Sequence, residues 1–309
     1  MEAVHIYCYD IAIIGGGPAG MAAALSAAES GASVLLIERE MALGGILNQC
    51  THHGFGLTYF GEALTGLEYA ARFVQKIESS TVDVLTDTTV LEVGENGRIT
   101  ITGEQSGLRQ IRALAVILAA GCRERAIGSL PVAGTRPSGV FSAGAAQKML
   151  NLGGYNLGKR FVILGSGDVG MIVARELTLR GKEVIAVIEK SAQCGGLERN
   201  RINCLEQFDI PIIMQSTVTR LHGVQRLTGV TVTGRTGSAF IDCDSLIVSV
   251  GLIPERELVE PFDSGQKPDW LYITGNARQV HPMVDSVTRE SERIGYEAAE
   301  YARRVKHII

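Results

Sequence analysis

Two glycine clusters of identical spacing are the residues best suited to gripping a ligand. Gly15, Gly17 and Gly20 form one Gly-x-Gly-x-x-Gly run, with Pro18 and Ala19 at the variable positions before Gly20. Gly165, Gly167 and Gly170 form a second, with Asp168 and Val169 in the same places. The first glycine permits a tight turn, the second lets bare backbone approach a pyrophosphate, and the third lets a helix lie close to a strand. Each copy is closed by an acidic residue, Glu38 followed by Arg39 and Glu189 followed by Lys190. A carboxylate there can accept hydrogen bonds from an adenosine ribose.

The elements around both clusters repeat as well. A short apolar run of strand length precedes each turn, and a segment of helical composition follows it. A further glycine (Gly31, Gly181) and a second apolar run then lead to the acid. A strand-turn-helix-strand unit of this kind points the free N–H groups of a helix N-terminus at phosphates. Residues 82–113 alternate with turn residues (Gly94, Asn96-Gly97, Gly103, Gly107) and read as a small β-meander. Apolar strands from Ala115 to Gly121 and from Ser245 to Pro254 mark where the chain leaves and rejoins a first domain. Residues 284–304 read as a final helix. The expected fold is α/β: two Rossmann-like three-layer domains, the second inserted into the first, with a small β-meander. The first domain is expected to span residues 1–130 and 253–309, and the second 131–252.

Composition agrees with a folded chain of about two domains. Of 309 residues, 46% are hydrophobic and 20% charged, enough to bury sizeable cores. The 37 glycines far outnumber the 8 prolines, as suits backbone that must approach ligands closely. The net charge of -4 and the lack of a basic run give no reason to expect a nucleic-acid partner. Residues 11–28 carry no charge, but Gly15, Gly16, Gly17 and Pro18 interrupt them, so no transmembrane segment is expected. No Lys or Arg precedes Arg39 to supply a signal-peptide n-region, so a cytoplasmic location is expected. The six cysteines include no CxxC or other close ligand spacing; no metal site is expected.

These motifs together resemble the two-dinucleotide-binding-domain flavoproteins, the superfamily of thioredoxin reductase and the pyridine nucleotide-disulfide reductases. The resemblance rests on GGGPAG with Glu38, Gly44-Gly45, Ala119-Ala120-Gly121, the second glycine run with Glu189, and Tyr272-ITGN ending at Asn276. It implies FAD on the first glycine turn and NAD(P)H on the second. More narrowly, Gly44-GILNQC, Gly121-CRER, Gly139-VFSAGAAQ and Gly165-SGDVG resemble oxidoreductases similar to subunits of opine oxidase and hydrogen cyanide synthase, some of them linked with glycerol-3-phosphate dehydrogenases. Two departures narrow the chemistry. Thioredoxin reductases carry a CxxC upstream of the second turn, where this chain reads Phe141-Ser142-Ala143-Gly144-Ala145. The larger disulfide reductases carry CxxxxC after the Gly-Gly, where residues 46–50 hold only Cys50. Dithiol exchange needs an attacking thiolate and a resolving partner, and no local pair is present.

The resemblance implies that residues after Gly45 run beside the flavin. It nominates Asn48 and Gln49 as hydrogen-bonding partners of the ring. Cys50 is either a redox thiol or a small buried residue, and His52 and His53 are candidates to shuttle protons. Ala120, Gly121, Gly251, Gly275 and Asn276 complete the expected cofactor contacts; the superfamily usually has Asp where this chain has Asn276. The last helix, beginning near Val284, is expected to aim its N-terminal dipole at the flavin N1–C2=O edge. Arg123 and Arg125 either contact the nicotinamide cofactor or a partner, or lie in a solvated loop. Glu189 favours NADH, since a carboxylate repels a 2′-phosphate. The expected activity is hydride transfer between NADH and FAD, with electrons passing to an unidentified acceptor. Two alternatives remain: an electron-relay subunit beside a partner dehydrogenase subunit, or a single-cysteine peroxide or disulfide reductase using Cys50. A homodimer is left open as the assembly.

Overall fold

The computed structural model describes residues 7–104, 107–262 and 267–307; the other residues of the expected first domain and its meander lie outside the described residues. The chain divides into two compact units, Met1–Arg123 with Pro254–Ile309, and Glu124–Ile253.

In the first unit, β1 (Tyr7–Ile14) leads through the glycine turn into α1 (Pro18–Glu29) and β2 (Val34–Ile37). A hairpin of β3 (His53–Phe55) and β4 (Leu64–Thr65) precedes α2 (Gly66–Glu78). That helix starts with a capping box: the Thr65 hydroxyl accepts from the Glu68 N–H, and the Glu68 carboxylate accepts from the Thr65 N–H. Then come β5 (Asp83–Leu85), β6 (Thr88–Val93), β7 (Arg98–Gly103) and β8 (Arg109–Leu118). Strands β5, β2, β1 and β8 pair parallel, while β6, β7 and the start of β8 form the antiparallel meander. Sequence reading separates the meander's end from the strand beginning at Ala115, but β8 is one strand through both. Its first half is buried on one face and its second half on both, so the alternating pattern gives way to a continuous apolar run without a break.

The chain passes into the second unit along β9 (Cys122–Glu124). There follow β10 (Ala133–Gly134), β11 (Val140–Ser142), α3 (Ala143–Asn151), β12 (Arg160–Leu164), α4 (Asp168–Leu179), β13 (Glu183–Ile188), α5 (Glu198–Cys204) and β14 (Ile212–Ile213). The antiparallel strands β15 (Ser216–Gly223), β16 (Leu227–Gly234) and β17 (Gly237–Ile241) come next, then β18 (Ser245–Val248). The chain returns along β19 (Leu252–Pro254), which pairs with β9, and ends with β20 (Leu271–Ile273) and α6 (Val284–Lys306) in the first unit. A parallel sheet ordered β11-β18-β12-β13-β14 forms the middle of the second unit.

Side-chain parity builds the same three layers twice. In β1, Ile11 and Ile13 enter the core shared with α1, α2 and α6, whereas Ala12 and Ile14 enter the core shared with Val90, Ile99 and Ile101 of the meander. In β12, Phe161 and Ile163 face α3 and α4, whereas Val162 and Leu164 face Val218, Leu221, Val230 and Val232 of the antiparallel sheet. Sequence reading locates one meander; the structure has a second layer of this kind in the second unit. Its signal was the Thr- and Val-rich run at 217–233 broken by Gly223, which reads as strands and turns.

Candidate functional site

At the end of β1 the three glycines do three different things. Gly15 has a φ of +108°, and a Cβ there would lie 2.5 Å from the Ala119 carbonyl oxygen. A Cβ on Gly20 would overlap the Gly15 carbonyl, so α1 touches the strand turn only because this position is bare. A Cβ on Gly17 would meet nothing nearer than Gly45 Cα at 3.9 Å. That open position is where a phosphate can approach backbone, and Pro18 at N1 sacrifices only an N–H that no helical bond needs. No acid stands in the first turn of α1, so its positive end is uncompensated.

Glu38 closes this turn from below. It is buried; the Gly16 N–H donates to its Oε2 (2.6 Å) and the Glu40 N–H to its Oε1 (2.7 Å). Arg39 is exposed. The Gly44 N–H donates to the Gly16 carbonyl (2.9 Å), and Asn48 Nδ2 donates to the Leu43 carbonyl (2.9 Å), so Gly44 and Gly45 fold onto the glycine turn. Gln49 and Cys50 are buried, and the Cys50 thiol donates to the Ile46 carbonyl at 3.3 Å. His52 is half-buried beside Phe55, ring centroids 5.0 Å apart, while His53 is exposed on β3. Ala120 and Gly121 follow β8, and nothing lies within 4 Å of where a Gly121 Cβ would be.

Gly275 brings two helix starts together. A Cβ on it would lie 2.7 Å from Ala19 Cβ in α1 and 3.3 Å from Val287 Cγ1 in α6. Asn276 Oδ1 accepts from the His281 N–H (2.9 Å), and its Nδ2 lies 3.8 Å from Cys122 Sγ. Strands β1, β8 and β20 run parallel to this edge, where β2 and β8 diverge on either side of β1. Ligands of open α/β sheets occupy such a crevice at the carboxyl ends of the strands. The groups present therefore suit a dinucleotide: a bare turn, an uncharged helix N-terminus, a carboxylate for ribose, and space at Gly17 and Gly121.

The second unit repeats the arrangement. Gly165 has a φ of +100° and approaches the Ser249 carbonyl; a Cβ on Gly170 would lie 2.8 Å from the Gly165 carbonyl; Gly167 stays open. Glu189 is buried, its Oε2 accepting from the Ser166 N–H (2.9 Å) and Oγ (2.6 Å) and its Oε1 from the Ser191 N–H (2.7 Å). Burial alone would push this carboxyl up, but the hydrogen bonds from Ser166 and Ser191 outweigh it and hold it below 4.5. Asp168 Oδ1 accepts from the Leu197 N–H (2.8 Å) and Asn200 Nδ2 (2.7 Å). Val169 is half-buried, and Gly251 has open space where a Cβ would be.

Several residues of the site were missed by sequence reading. The Gly196 N–H donates to the Ser166 carbonyl (3.0 Å) and the Gly195 N–H to Ser166 Oγ (2.8 Å), so a Gly-Gly pair caps the second turn as Gly44-Gly45 caps the first. Its signal was in the sequence, since each pair begins at the same distance beyond its glutamate. His281 Nε2 lies 2.8 Å from Glu290 Oε2, with Arg278 3.4 Å from the other oxygen. Asp285, in the first turn of α6, is 3% exposed and accepts from the backbone N–H groups of Gly56, Thr58 and Tyr59 and from the Thr58 hydroxyl. The pole expected at Val284 is thus accompanied by a buried carboxylate. Arg123 pairs with Glu255 (3.1 Å) and Glu257, which commits it to the chain itself.

Among the described residues no group of three or more His, Cys, Asp or Glu side chains could hold a metal ion, and no helix is long and apolar enough to cross a membrane. Burial pushes the Cys243 thiol up to about 12 and raises that of Cys204, so neither is a ready thiolate.

A family profile described as "Pyridine nucleotide-disulphide oxidoreductase" matches residues 9–274. The chain is 30% identical to the HcnB subunit of hydrogen cyanide synthase from Pseudomonas protegens over 216 residues, covering 69% of this chain and 45% of that protein. It is 31% identical to an opine oxidase subunit from Agrobacterium tumefaciens over 196 residues, covering 59% and 37%. The chain therefore spans less than half the length of these curated relatives. The fold is that of the thioredoxin reductase of T. acidophilum, with a TM-score of 0.76 at 22% identity over 97% of this chain and 99% of that one. The chain belongs to the pyridine nucleotide-disulphide oxidoreductase family, a family of FAD- and NAD(P)-binding oxidoreductases.

Proposed function

We propose that this chain transfers a hydride between NADH, held in the second unit, and FAD, held in the first, and passes the electrons to a separate acceptor. The observation that carries this reading is the duplicated turn: open at Gly17 and Gly167, and closed beneath by a buried glutamate in each case. FAD, once bound, supplies the redox chemistry, while the protein binds and orients. Gly15, Gly17 and the start of α1 take the FAD pyrophosphate, with Ala19 and Gly20 packing behind. Glu38 takes the adenosine ribose, Arg39 flanks it, and Gly44, Gly45, Asn48, Gln49, Ala120, Gly121, Gly275 and Asn276 border the rest. In the second unit Gly165, Gly167, Asp168, Val169 and Gly170 take the nicotinamide dinucleotide, Glu189 its ribose, and Gly251 leaves it room.

Glu189 supports NADH over NADPH. Its carboxylate is held ionised by three donors, and a 2′-phosphate placed beside it would be repelled. Burial of Cys50, with its thiol on the Ile46 carbonyl, supports a packing role for that residue. Between the two histidines, the half-buried His52 is the better placed to hold a proton near a ring, because His53 is exposed.

A second reading, an electron-relay subunit of a larger dehydrogenase, is favoured by the relatives that are themselves subunits. Anaerobic titration decides between outcomes. NADH is expected to bleach the flavin absorbance of the holoprotein, and NADPH to do so more slowly. A flavin left oxidised by excess NADH would overturn the hydride step and leave the relay reading.

A further inference from the structure

Asp285 occupies an unusual place for a charge. It is 3% exposed, at the second position of the 23-residue helix α6, and the start of that helix meets the start of α1 across Gly275. Of the two helix N-termini converging there, α1 has no acid in its first turn and α6 has one. Where the two compete for one ligand, a pyrophosphate is better held at the uncompensated start of α1 than at the start of α6, which leaves the α6 start for an uncharged part of the ligand.

The carboxylate reaches back to the β3–β4 hairpin. Its Oδ1 accepts from the Gly56 N–H (3.0 Å), and its Oδ2 from the Thr58 N–H (2.7 Å), Thr58 Oγ1 (2.8 Å) and the Tyr59 N–H (3.1 Å). The other ionisable groups around it are Tyr59, bonded to Glu292; Tyr69 of α2, bonded to Thr288 (2.7 Å); and Arg289, which donates to the Thr58 carbonyl. These donors keep the carboxylate ionised without supplying a countercharge in direct contact with it.

We propose that Asp285 is a tuning residue: a fixed anion that opposes the positive end of α6 and so lowers the reduction potential of the flavin. This rests on the reading that the first unit holds FAD with its pyrimidine edge at the start of α6. Two-electron reduction takes FAD with one proton to FADH⁻, whose charge lies at N1–C2=O; a second proton gives neutral FADH₂. An anion beside that edge disfavours FADH⁻ and strengthens the hold on the N1 proton. The helix pole expected from sequence to stabilise reduced flavin is thereby offset by its own first turn.

The test compares FAD-loaded wild type with Asp285→Asn and Thr58→Val, each reduced by dithionite against a dye of known potential. Asp285→Asn should raise the ratio of reduced to oxidised flavin several-fold at fixed poise and shift loss of the N1 proton, read from the reduced-flavin spectrum, to lower pH. Thr58→Val keeps the charge but removes one donor from it, so it should move both readouts the opposite way. If Asp285→Asn does not fold, Thr58→Val alone decides. Variants that hold FAD at wild-type stoichiometry with unmoved ratio and spectrum overturn the inference alone. Wild-type protein that takes up no FAD overturns the reading beneath it, and the inference with it.

Discussion

Glu38 and Glu189 each bind the second residue of a glycine turn with one carboxylate oxygen and a backbone N–H two residues further along the chain with the other. The glutamate therefore shapes the loop, in addition to the ribose contact proposed for it. Glu38→Ala leaves the buried Gly16 N–H and the part-buried Glu40 N–H without their charged acceptor, at a cost of roughly 1–3 kcal/mol. FAD content after desalting is expected to fall well below that of wild type; a variant that stays fully yellow would remove Glu38 from the site. Glu189→Ala should narrow the preference for NADH over NADPH, since a tenfold preference needs only about 1.4 kcal/mol. An unchanged ratio of the two reduction rates would show that the selectivity lies elsewhere. Acid should act through the same kind of group. Burial pushes the Asp285 carboxyl up, but its bonds from Thr58, Gly56 and Tyr59 outweigh this and hold it below 3.8. A depressed folded-state value means that its contribution to stability is complete above 3.8 and is lost as pH falls through the lower value. Thermal melts from about pH 5 down to about pH 2 should show a steeper loss in wild type than in Asp285→Asn.

Helices α1 and α6 meet at a point where one methyl group decides the fit. A Cβ on Gly295 would overlap the Ala23 carbonyl and lie 2.9 Å from Ala23 Cα. Helix propensity alone argues that Gly295→Ala stabilises by about 1 kcal/mol. Overpacking costs about 1–3 kcal/mol, and here the obstacle is backbone, which cannot rotate aside as a side chain can. The contact should win: Gly295→Ala is expected to lower the urea midpoint, and an equal or higher midpoint would mean that the helices separate freely. Elements of this kind were legible in part. The turn, helix and strand around each glycine cluster are local, so spacing along the chain carries them. The meeting of Asp285 with Thr58, 227 residues apart, is not local; an acid in the first helical turn reads the same whether it faces solvent or a hairpin. The second antiparallel layer was missed for another reason. Strands β15 and β16 put Val218, Val230 and Val232 in the core and leave Thr217, Thr219, Thr231 and Thr233 half-buried on the other face, but register shifts at Val218/Arg220 and His222/Gly223 break this alternation into short pieces.

At the scale of the molecule, the second unit is one unbroken stretch, Glu124–Ile253, whereas the first is assembled from two. The glycine turns and both glutamates were legible because each nucleotide fingerprint is complete within a single strand-turn-helix-strand segment. Which of Cys50, His52 and His53 is buried was not, because that depends on how the β3–β4 hairpin folds against α2 and α6. The contiguity of the second unit has a consequence that can be measured. It contains its own paired cores, Phe161, Ile163, Met171 and Leu177 on the helical side of its sheet and Val162, Leu164, Val230 and Val232 on the other. It also contains every group assigned to the nicotinamide dinucleotide: the Gly165–Gly170 turn, Ser166, Glu189 and the Gly195-Gly196 cap. Residues 124–253 expressed alone should therefore unfold cooperatively in urea and bind NADH within a few-fold of the affinity of the whole chain. They should take up no FAD, because Gly15, Gly17 and Glu38 are absent. Cooperative unfolding without NADH binding would place part of the nicotinamide site outside this stretch, and retention of FAD would reverse the assignment of the two turns.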